Sequence, residues 1–267
     1  MEGNTLTDRP PATRYLPELR WPQVQAYLDR GGDLVIVPMG ATENHGPHAP
    51  LGTDSIIVGE LCRRMAVQLD ALVAPVLPVG YSPQHLPFPG SISISHEIAS
   101  ALLYEEANCL RGQGFHRFVF ISGHGGNRTS LDLAGTRLKR EWPEVQVVHA
   151  NMLAAQTSRP IRDQVEAAYG RPLSTIWEAH GGEQETAAVL AVSPSLVDLS
   201  QIAPEPDVTS YLAKGRDPEV FLCDYDLKAT APAGNWGDPR GATAPQGELF
   251  YDILATHLAR KIRARWR

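Results

Sequence analysis

The chain has little of what a disulfide-built or nucleic-acid-binding protein needs. It contains three cysteines, Cys62, Cys109 and Cys223, an odd number with no CxxC spacing. This argues against a disulfide framework and fits a reducing compartment, where we expect the three to pack as small hydrophobic side chains. The formal net charge is -6 and the pI is about 5.8, which argues against a phosphate-binding surface of concentrated Lys and Arg.

The sequence also lacks the pattern of a signal peptide or a membrane span. Residues 1–20 contain acids, prolines and arginines but no apolar core. The longest uncharged stretch, Ala71 to Ser95, is long enough to cross a bilayer, but it contains five prolines and His85. We therefore expect a cytoplasmic protein that acts on a small molecule and has no nucleic-acid or membrane partner.

Short apolar runs alternate with helical patterns along most of the 267 residues. This alternation predicts an α/β fold, a single three-layer αβα domain over residues 1–267 with a mainly parallel sheet, whose motif-bearing core covers about residues 33–199. Residues 203–244 are irregular and are candidates for active-site loops or subunit contacts. The predicted strands are Asp33–Met39, Ala71–Leu77, Arg117–Ser122 and Val145–His149. The predicted helices are Ser55–Leu69, Glu97–Arg111, a helix from Asn127 through Arg140, Glu183–Val192 and Gly247–Arg265.

Glycines and prolines cluster beside histidines and acids where the first predicted strand ends. Glu43 and His45 lie two residues apart, so in extended backbone their side chains leave on one side, and Asp54 adds a carboxylate next to a helix. His with Asp and Glu, without Cys, is a ligand set suited to Zn, Mn or Fe in hydrolytic sites. Taken alone, Glu43 and His45 could equally be a solvated pair on a loop.

Two further clusters are expected at the same edge of the sheet. His124 lies in the turn GHGGN after the third predicted strand. Its glycines either offer backbone N–H groups to an anion or allow a sharp turn that presents His124 to a metal. In HGGEQET, Glu183 lies in the first turn of a predicted helix, where an acid also acts as a capping residue. His180, beside two glycines, is a candidate proton carrier.

Four segments together resemble the creatininase (creatinine amidohydrolase) family: GATENHGPHAPLGTD, HLPFPGSIS, SGHGGN and HGGEQET. The resemblance covers about Pro38 to Leu199, with a recognisable tail at Gly237–Gly247. Members of this family hydrolyse C–N bonds in cyclic and linear amides with a two-metal centre, and they usually form rings of six. The resemblance therefore implies an amidohydrolase that acts on C–N bonds other than peptide bonds and assembles as a homo-oligomer, with a hexamer expected.

By position, the resemblance implies that Glu43 and His124 bind one metal ion and that His45 and Glu183 bind the other. Asp54 matches the carboxylate that bridges the two ions. We expect two divalent ions, zinc first, with manganese or iron as the alternatives. Three carboxylates, two divalent ions and a bridging hydroxide would give a centre with no net charge.

The resemblance also assigns the remaining site residues. His180 matches the catalytic histidine that passes a proton from the nucleophile to the leaving nitrogen. Substrate contacts are expected from His85, which could instead be structural, and from Asn127, which could instead cap its helix. Trp177 is the third expected contact, although it stands three residues before His180 where creatininases have a tryptophan four before.

The sequence departs from true creatininases in ways that concern the substrate. Those enzymes have a tyrosine and a metal-binding glutamate where this chain has Gly125 and Gly126, and a glutamate where it has Ala179. The HGGE pattern resembles the branch that includes formamide hydrolases of riboflavin and deazaflavin biosynthesis and the mycofactocin peptidase. We therefore expect a small polar amide, cyclic amide or formamide other than creatinine. The alternatives are a peptidase that trims a short cofactor-precursor peptide and a non-catalytic metal-binding relative.

Overall fold

Four parallel strands form one sheet, in the order β2-β1-β3-β4, in a computed structural model of the chain. The structure describes residues 13–173, 180–203 and 226–266. Strands β1 and β3 pair along their whole lengths, and every residue of β1 is buried. Continuous apolar runs of this kind are typical of parallel sheets covered on both faces. The strands are β1 (Leu34–Met39), β2 (Leu72–Val73), β3 (Arg117–Ser122) and β4 (Gln146–Ala150).

Helices cover both faces of this sheet, which confirms the predicted α/β architecture. The helices of the described residues are α1 (Trp21–Asp29), α2 (Thr53–Leu69), α3 (His96–Arg111), α4 (Arg128–Glu141), α5 (Met152–Gln156), α6 (Arg159–Tyr169), α7 (Glu183–Val192), α8 (Leu227–Thr230) and α9 (Ala244–Arg263). On one face, α1, α3 and α4 pack around Phe118 and Phe120. On the other, α2, α5, α6, α7 and α9 pack around Val119 and Ile121.

The element bounds differ from the prediction where short-range chemistry intervenes. Strand β2 stops at Val73, well before the end of the predicted run, because Pro75 has no N–H to continue a ladder. Helix α9 begins at Ala244 because Thr243 and Gln246 form a capping box. Helices α1, α5, α6 and α8 are absent from the sequence-based prediction. No helix in the described ranges is both long and apolar enough to cross a membrane.

Phe118 offers a direct test of the packing between β3 and the α3/α4 layer. Its side chain is 0% exposed, so we expect Phe118→Ala to lower the free energy of unfolding by about 3 to 5 kcal/mol. Urea denaturation of the purified variant measures the loss. Leu133→Ala on α4 is the control, since Leu133 is 49% exposed and its truncation should change stability by less than about 0.5 kcal/mol. Equal losses for the two variants would contradict this packing.

Candidate metal centre

The site forms where β1 and β3 end against the first turn of α2. Glu43 and His45 lie in the segment that follows β1, His124 lies just beyond β3, and Asp54 lies in the first turn of α2. Close backbone contact brings these segments together, because a Cβ atom on Gly123 would lie 2.4 Å from the carbonyl oxygen of Asp54. Only glycine at position 123 allows α2 to come so near the sheet.

The buried Asp54 carboxylate lies between two histidines. Its Oδ1 is 3.3 Å from Nε2 of His45, and its Oδ2 is 3.6 Å from Nδ1 of His124. Each histidine also faces a second carboxylate: Glu43 Oε1 is 3.1 Å from His124 Nδ1, and Glu185 Oε2 is 3.7 Å from His45 Nε2. Ligand atoms bound to one metal ion at about 2.1 Å have similar mutual separations. Asp54 thus links the His45–Glu185 pair to the His124–Glu43 pair. The sets of three whose ligand atoms all lie within 4.8 Å of one another are Glu43 with His45 and Asp54, His45 with His180 and Glu185, and Glu43 with His85 and His180.

Backbone carbonyls fix which nitrogen of each imidazole is available to a metal. His45 Nδ1 lies 3.1 Å from the Glu43 carbonyl oxygen, and His124 Nε2 lies 2.9 Å from the Tyr81 carbonyl oxygen. A carbonyl can only accept, so these nitrogens carry the proton and donate it. The opposite nitrogens, His45 Nε2 and His124 Nδ1, turn their lone pairs toward Asp54. This is how proteins orient metal-binding histidines.

Several polar atoms of the cluster are buried without a hydrogen bond within the described residues. They include both carboxylate oxygens of Glu43, Nε2 of His45 and Oδ2 of Asp54. Unsatisfied buried carboxylate oxygens are costly unless a cation or donor reaches them. The donor set and its orphaned atoms therefore fit divalent metal ions.

In the metal-free chain, protons take the place of the cations. Burial alone would lower the pKa of His45, but the Asp54, Glu185 and Glu43 carboxylates raise it to about 10. Burial would likewise lower the pKa of His124, and Glu43 and Asp54 raise it to about 9. Burial raises the pKa of Glu185 to about 7, despite the opposing effect of His45. The centre thus binds protons that a metal ion must displace.

Two further histidines, His85 and His180, lie beside Glu43. His85 Nε2 is 3.3 Å from Glu43 Oε1, and the His85 and His180 rings lie 4.6 Å apart. His180 Nε2 is 2.5 Å from the Asn44 carbonyl oxygen, so this nitrogen donates its proton there. Nδ1, on the opposite side, lies 3.9 Å from Glu43 Oε1. Burial, together with the charges of His45 and His85, lowers the pKa of His180 well below its usual value, so the ring is neutral.

The glycine-rich turn GHGGN serves the orientation of His124. A Cβ atom on Gly126 would lie 2.3 Å from the Tyr81 carbonyl oxygen and 2.4 Å from Nε2 of His124. A side chain at position 126 would therefore break the hydrogen bond that fixes the imidazole. Of the two interpretations of this turn, the geometry favours the one in which the glycines allow His124 to face the cluster.

A cavity of about 490 Å³ opens over the cluster. Its walls include His85, His180, Gly125, Tyr81 and Trp236. The segment that carries Trp236 is bonded to His180, because the backbone N–H of Trp236 donates to the His180 carbonyl oxygen at 2.8 Å. The cavity is large enough for a small organic ligand.

Comparison with known proteins places this chain in a family. The family model described as creatinine amidohydrolase matches residues 17–262. The chain belongs to the creatininase family. It is 30% identical over 244 residues to the mycofactocin precursor peptide peptidase of Mycolicibacterium smegmatis, which covers 87% of this chain and 85% of that protein. It is 26% identical over 260 residues to the creatinine amidohydrolase of Pseudomonas putida, which covers 93% of this chain and 96% of that protein.

Solved creatininase structures have the same fold and include metal-bound forms. A manganese creatininase aligns with a TM-score of 0.78 and 26% identity, covering 95% of this chain and 98% of that one. A zinc–zinc form of a mutant creatininase aligns with a TM-score of 0.79 and 25% identity, covering 96% and 99%. The creatininase fold therefore extends over nearly all of this chain.

The structure does not bring Glu183, the expected fifth ligand, to the cluster. The Glu183 carboxylate forms an ion pair with Arg171 and accepts a hydrogen bond from Gln246 Nε2 at 3.3 Å. Glu185, two residues later on α7, faces His45 instead and also accepts from the Gly181 N–H at 2.7 Å. Residues two apart on a helix point about 200° apart, so only one of the two acids can face the centre. The helical phase of α7 could have distinguished them, but the motif alone did not.

The side chain of Asn127 is bonded within the protein. Its side chain is fully buried and donates to the Gly40 carbonyl oxygen at 2.8 Å and to Ser122 Oγ at 3.0 Å, and it accepts from the Tyr81 N–H at 2.9 Å. It makes no side-chain cap to α4. Asn127 therefore braces the segments after β1 and β3, and it has no donor left for a substrate. Trp177, the other expected contact, lies outside the described residues, whereas Trp236 is a cavity residue that the sequence analysis missed.

The two acids of α7 give a matched test of the centre. We expect Glu185→Gln to lose one of the two bound metal ions per chain, because it removes a charged ligand from the group that includes His45. Glu183→Gln should retain both ions, because Glu183 faces Arg171. Metal content after dialysis, measured by inductively coupled plasma mass spectrometry, compares the two variants. Loss of an ion from Glu183→Gln and not from Glu185→Gln would reverse the assignment.

Metal binding should release protons and should weaken as the pH falls. The pKa values of about 10 for His45 and about 9 for His124 mean that both rings hold an extra proton at pH 7 in the metal-free chain. Each incoming Zn²⁺ must displace such protons, so the apparent affinity should drop from pH 8 to pH 6. Titration calorimetry in buffers of different ionisation enthalpy counts the protons released. Binding with no proton release and no pH dependence would contradict this.

Proposed function

We propose that the chain is a metal-dependent hydrolase that cleaves amide C–N bonds with two divalent ions. The observation that carries the proposal is the buried Asp54 carboxylate, whose two oxygens face two different imidazoles, each accompanied by a further carboxylate. Such a carboxylate is suited to bridge two cations. The printed names of the relatives, a creatinine amidohydrolase and a peptide peptidase, agree on C–N hydrolysis.

The proposed ligands of each ion are Asp54 and one of the two histidine–glutamate pairs that Asp54 links. Glu43, His124 and Asp54 would hold one ion, and His45, Glu185 and the same Asp54 would hold the other. Imidazole with carboxylate suits zinc first, with manganese or iron as alternatives, and solved relatives include manganese and zinc–zinc forms. Three carboxylates, two divalent ions and one hydroxide would make the centre neutral.

Two divalent ions at such a site supply an activated water near neutral pH and polarise the substrate carbonyl. The chain's own contribution is to orient a neutral base. His180 donates its Nε2 proton to the Asn44 carbonyl oxygen, which leaves the Nδ1 lone pair directed toward the centre. In the proposed reaction Nδ1 accepts a proton from the attacking water and passes it to the leaving nitrogen. His85, packed on His180, is proposed to contact the substrate.

The proposed substrate is a small polar amide, cyclic amide or formamide. The cavity of about 490 Å³ has room for such a molecule. Gly125 and Gly126, which stand where true creatininases have larger residues, argue against creatinine itself. The second candidate is cleavage of a short peptide. It is favoured by the similarity to a peptide peptidase and by a second cavity that adjoins the cavity over the cluster at Gly125 and Leu153.

Metal removal and reconstitution test the proposal. The chelator-treated protein should hydrolyse none of a panel of formamides, cyclic amides and dipeptide amides, and zinc or manganese should restore turnover of one class. Amine release measures activity, and the class restored decides between the two candidates. Full activity without metal would overturn the two-ion proposal.

The metal-loaded His180→Gln variant is the matched control for the chemical step. It should keep both ions and lower kcat by about 10² to 10⁴, the usual contribution of a positioned acid–base group. Wild-type turnover in this variant would remove His180 from the mechanism. Ion binding without turnover in the wild-type chain on every amide class would favour a non-catalytic metal-binding relative.

A further inference from the structure

Strand β4 forms an open edge of the sheet. In the described residues no strand pairs with β4 on the side away from β3. Gln146 N–H donates to the His116 carbonyl oxygen on the β3 side, so the N–H and C=O groups of Val147 and His149 point outward. An edge of this kind is a template for another extended chain.

A groove of about 890 Å³ follows this edge between the two helix layers. One wall is the face of α4 that carries Gly135 and Lys139, and the other is formed by Arg265 and Trp266 after α9. The five residues of β4 extend over about 16 Å, which is the length of a short extended peptide. The groove thus offers outward backbone groups at its floor and side chains on both walls.

The rim of the groove is basic, although the whole chain is acidic. Arg140 and Arg265 are exposed on opposite walls, and Lys139, next to Arg140 on α4, donates from its Nζ to the Val145 carbonyl oxygen at 2.8 Å. Asp132, at the far end, is paired with His149 at 2.6 Å. With a net charge of -6 over the chain, this local excess of positive charge favours an acidic occupant.

The groove adjoins a cavity near the metal centre. His149 lines both the groove and a smaller cavity of about 300 Å³. That cavity in turn shares His124, Gly125 and Leu153 with the cavity over the cluster. The three cavities are therefore neighbours around the carboxyl end of β4.

We propose that the β4 groove binds an extended acidic peptide segment as an added strand. The inference concerns docking at this edge and does not rest on the proposed hydrolase function. A second copy of the chain is the competing occupant of the edge.

Binding of a labelled peptide tests the groove directly. The probe is a fluorescein-labelled hexapeptide of alternating glutamate and valine, with a lysine–valine peptide of the same length as its counterpart. Fluorescence anisotropy on the full chain should detect binding of the acidic peptide alone, weakening as salt rises. Arg140→Glu with Arg265→Glu should weaken binding about tenfold or more, because two attractions become two repulsions.

Matched variants distinguish the effect of charge at the rim from the effect of the protein's net charge. Arg20→Glu with Arg159→Glu makes the same change in net charge at exposed arginines outside the groove and should leave binding unchanged. Val147→Pro removes one outward N–H at an edge position that tolerates proline, and it should weaken binding without altering the circular dichroism spectrum. Equal binding by the rim variant and the wild type would overturn the proposal.

Two further outcomes keep docking and catalysis distinguishable. If small amides are hydrolysed but the acidic peptide does not bind, the groove inference fails while the hydrolase function stands. If the peptide binds in the groove but no amide is cleaved by the metal-loaded chain, the hydrolase function fails and docking stands. If Val147→Pro instead dissociates an oligomer in sedimentation velocity, the edge is an interface between copies and the proposal is overturned.

Discussion

The centre depends on one electrostatic constraint, the confinement of three largely buried carboxylates within a few ångströms of one another. Glu43, Asp54 and Glu185 lie within a few ångströms of two imidazoles and are each less than a tenth exposed. Mutual repulsion and desolvation would raise their pKa values, and the carboxylates would become protonated and neutral unless cations were close. The surrounding structure brings the cationic groups close. The absence of a side chain at Gly123 lets α2 approach the strand ends, and backbone carbonyls accept hydrogen bonds that orient the imidazoles toward the carboxylates.

The same carbonyl acceptors connect segments that are distant in the sequence. Asn44 accepts from His180 with its backbone oxygen, while its side chain donates to the Gly234 carbonyl oxygen at 2.9 Å. The backbone N–H of Trp236, two residues after Gly234, donates a hydrogen bond to the His180 carbonyl oxygen. His180 is thereby fixed at its ring and at its main chain. The segment after β1 that contains Asn44 and a loop some 190 residues later thus together fix the position of His180.

Much of this arrangement could be predicted from the sequence, because its signals are local. The apolar run of β3 gave its bounds, and Glu43, His45, Asp54 and His124 follow strand ends that a parallel sheet must bring to one edge. The choice between Glu183 and Glu185 could not be made in this way. It depends on the rotational phase of α7, which is set by packing against α9 and α2 and not by the motif itself. The partners of Asn127 could not be predicted for a related reason, since its contacts with Gly40 and Tyr81 are tertiary.

Gly125 occupies the boundary between the cavity over the cluster and the next cavity along the end of β4. A Cβ atom there would lie 2.9 Å from Leu153 Cδ1, so any larger residue must push against the side chain that faces it. The size of the residue at position 125 therefore sets how much room the cavity over the cluster has on the side of Leu153. Within one fold and one ligand set, substitution at this position would change the size of ligand that the cavity accepts.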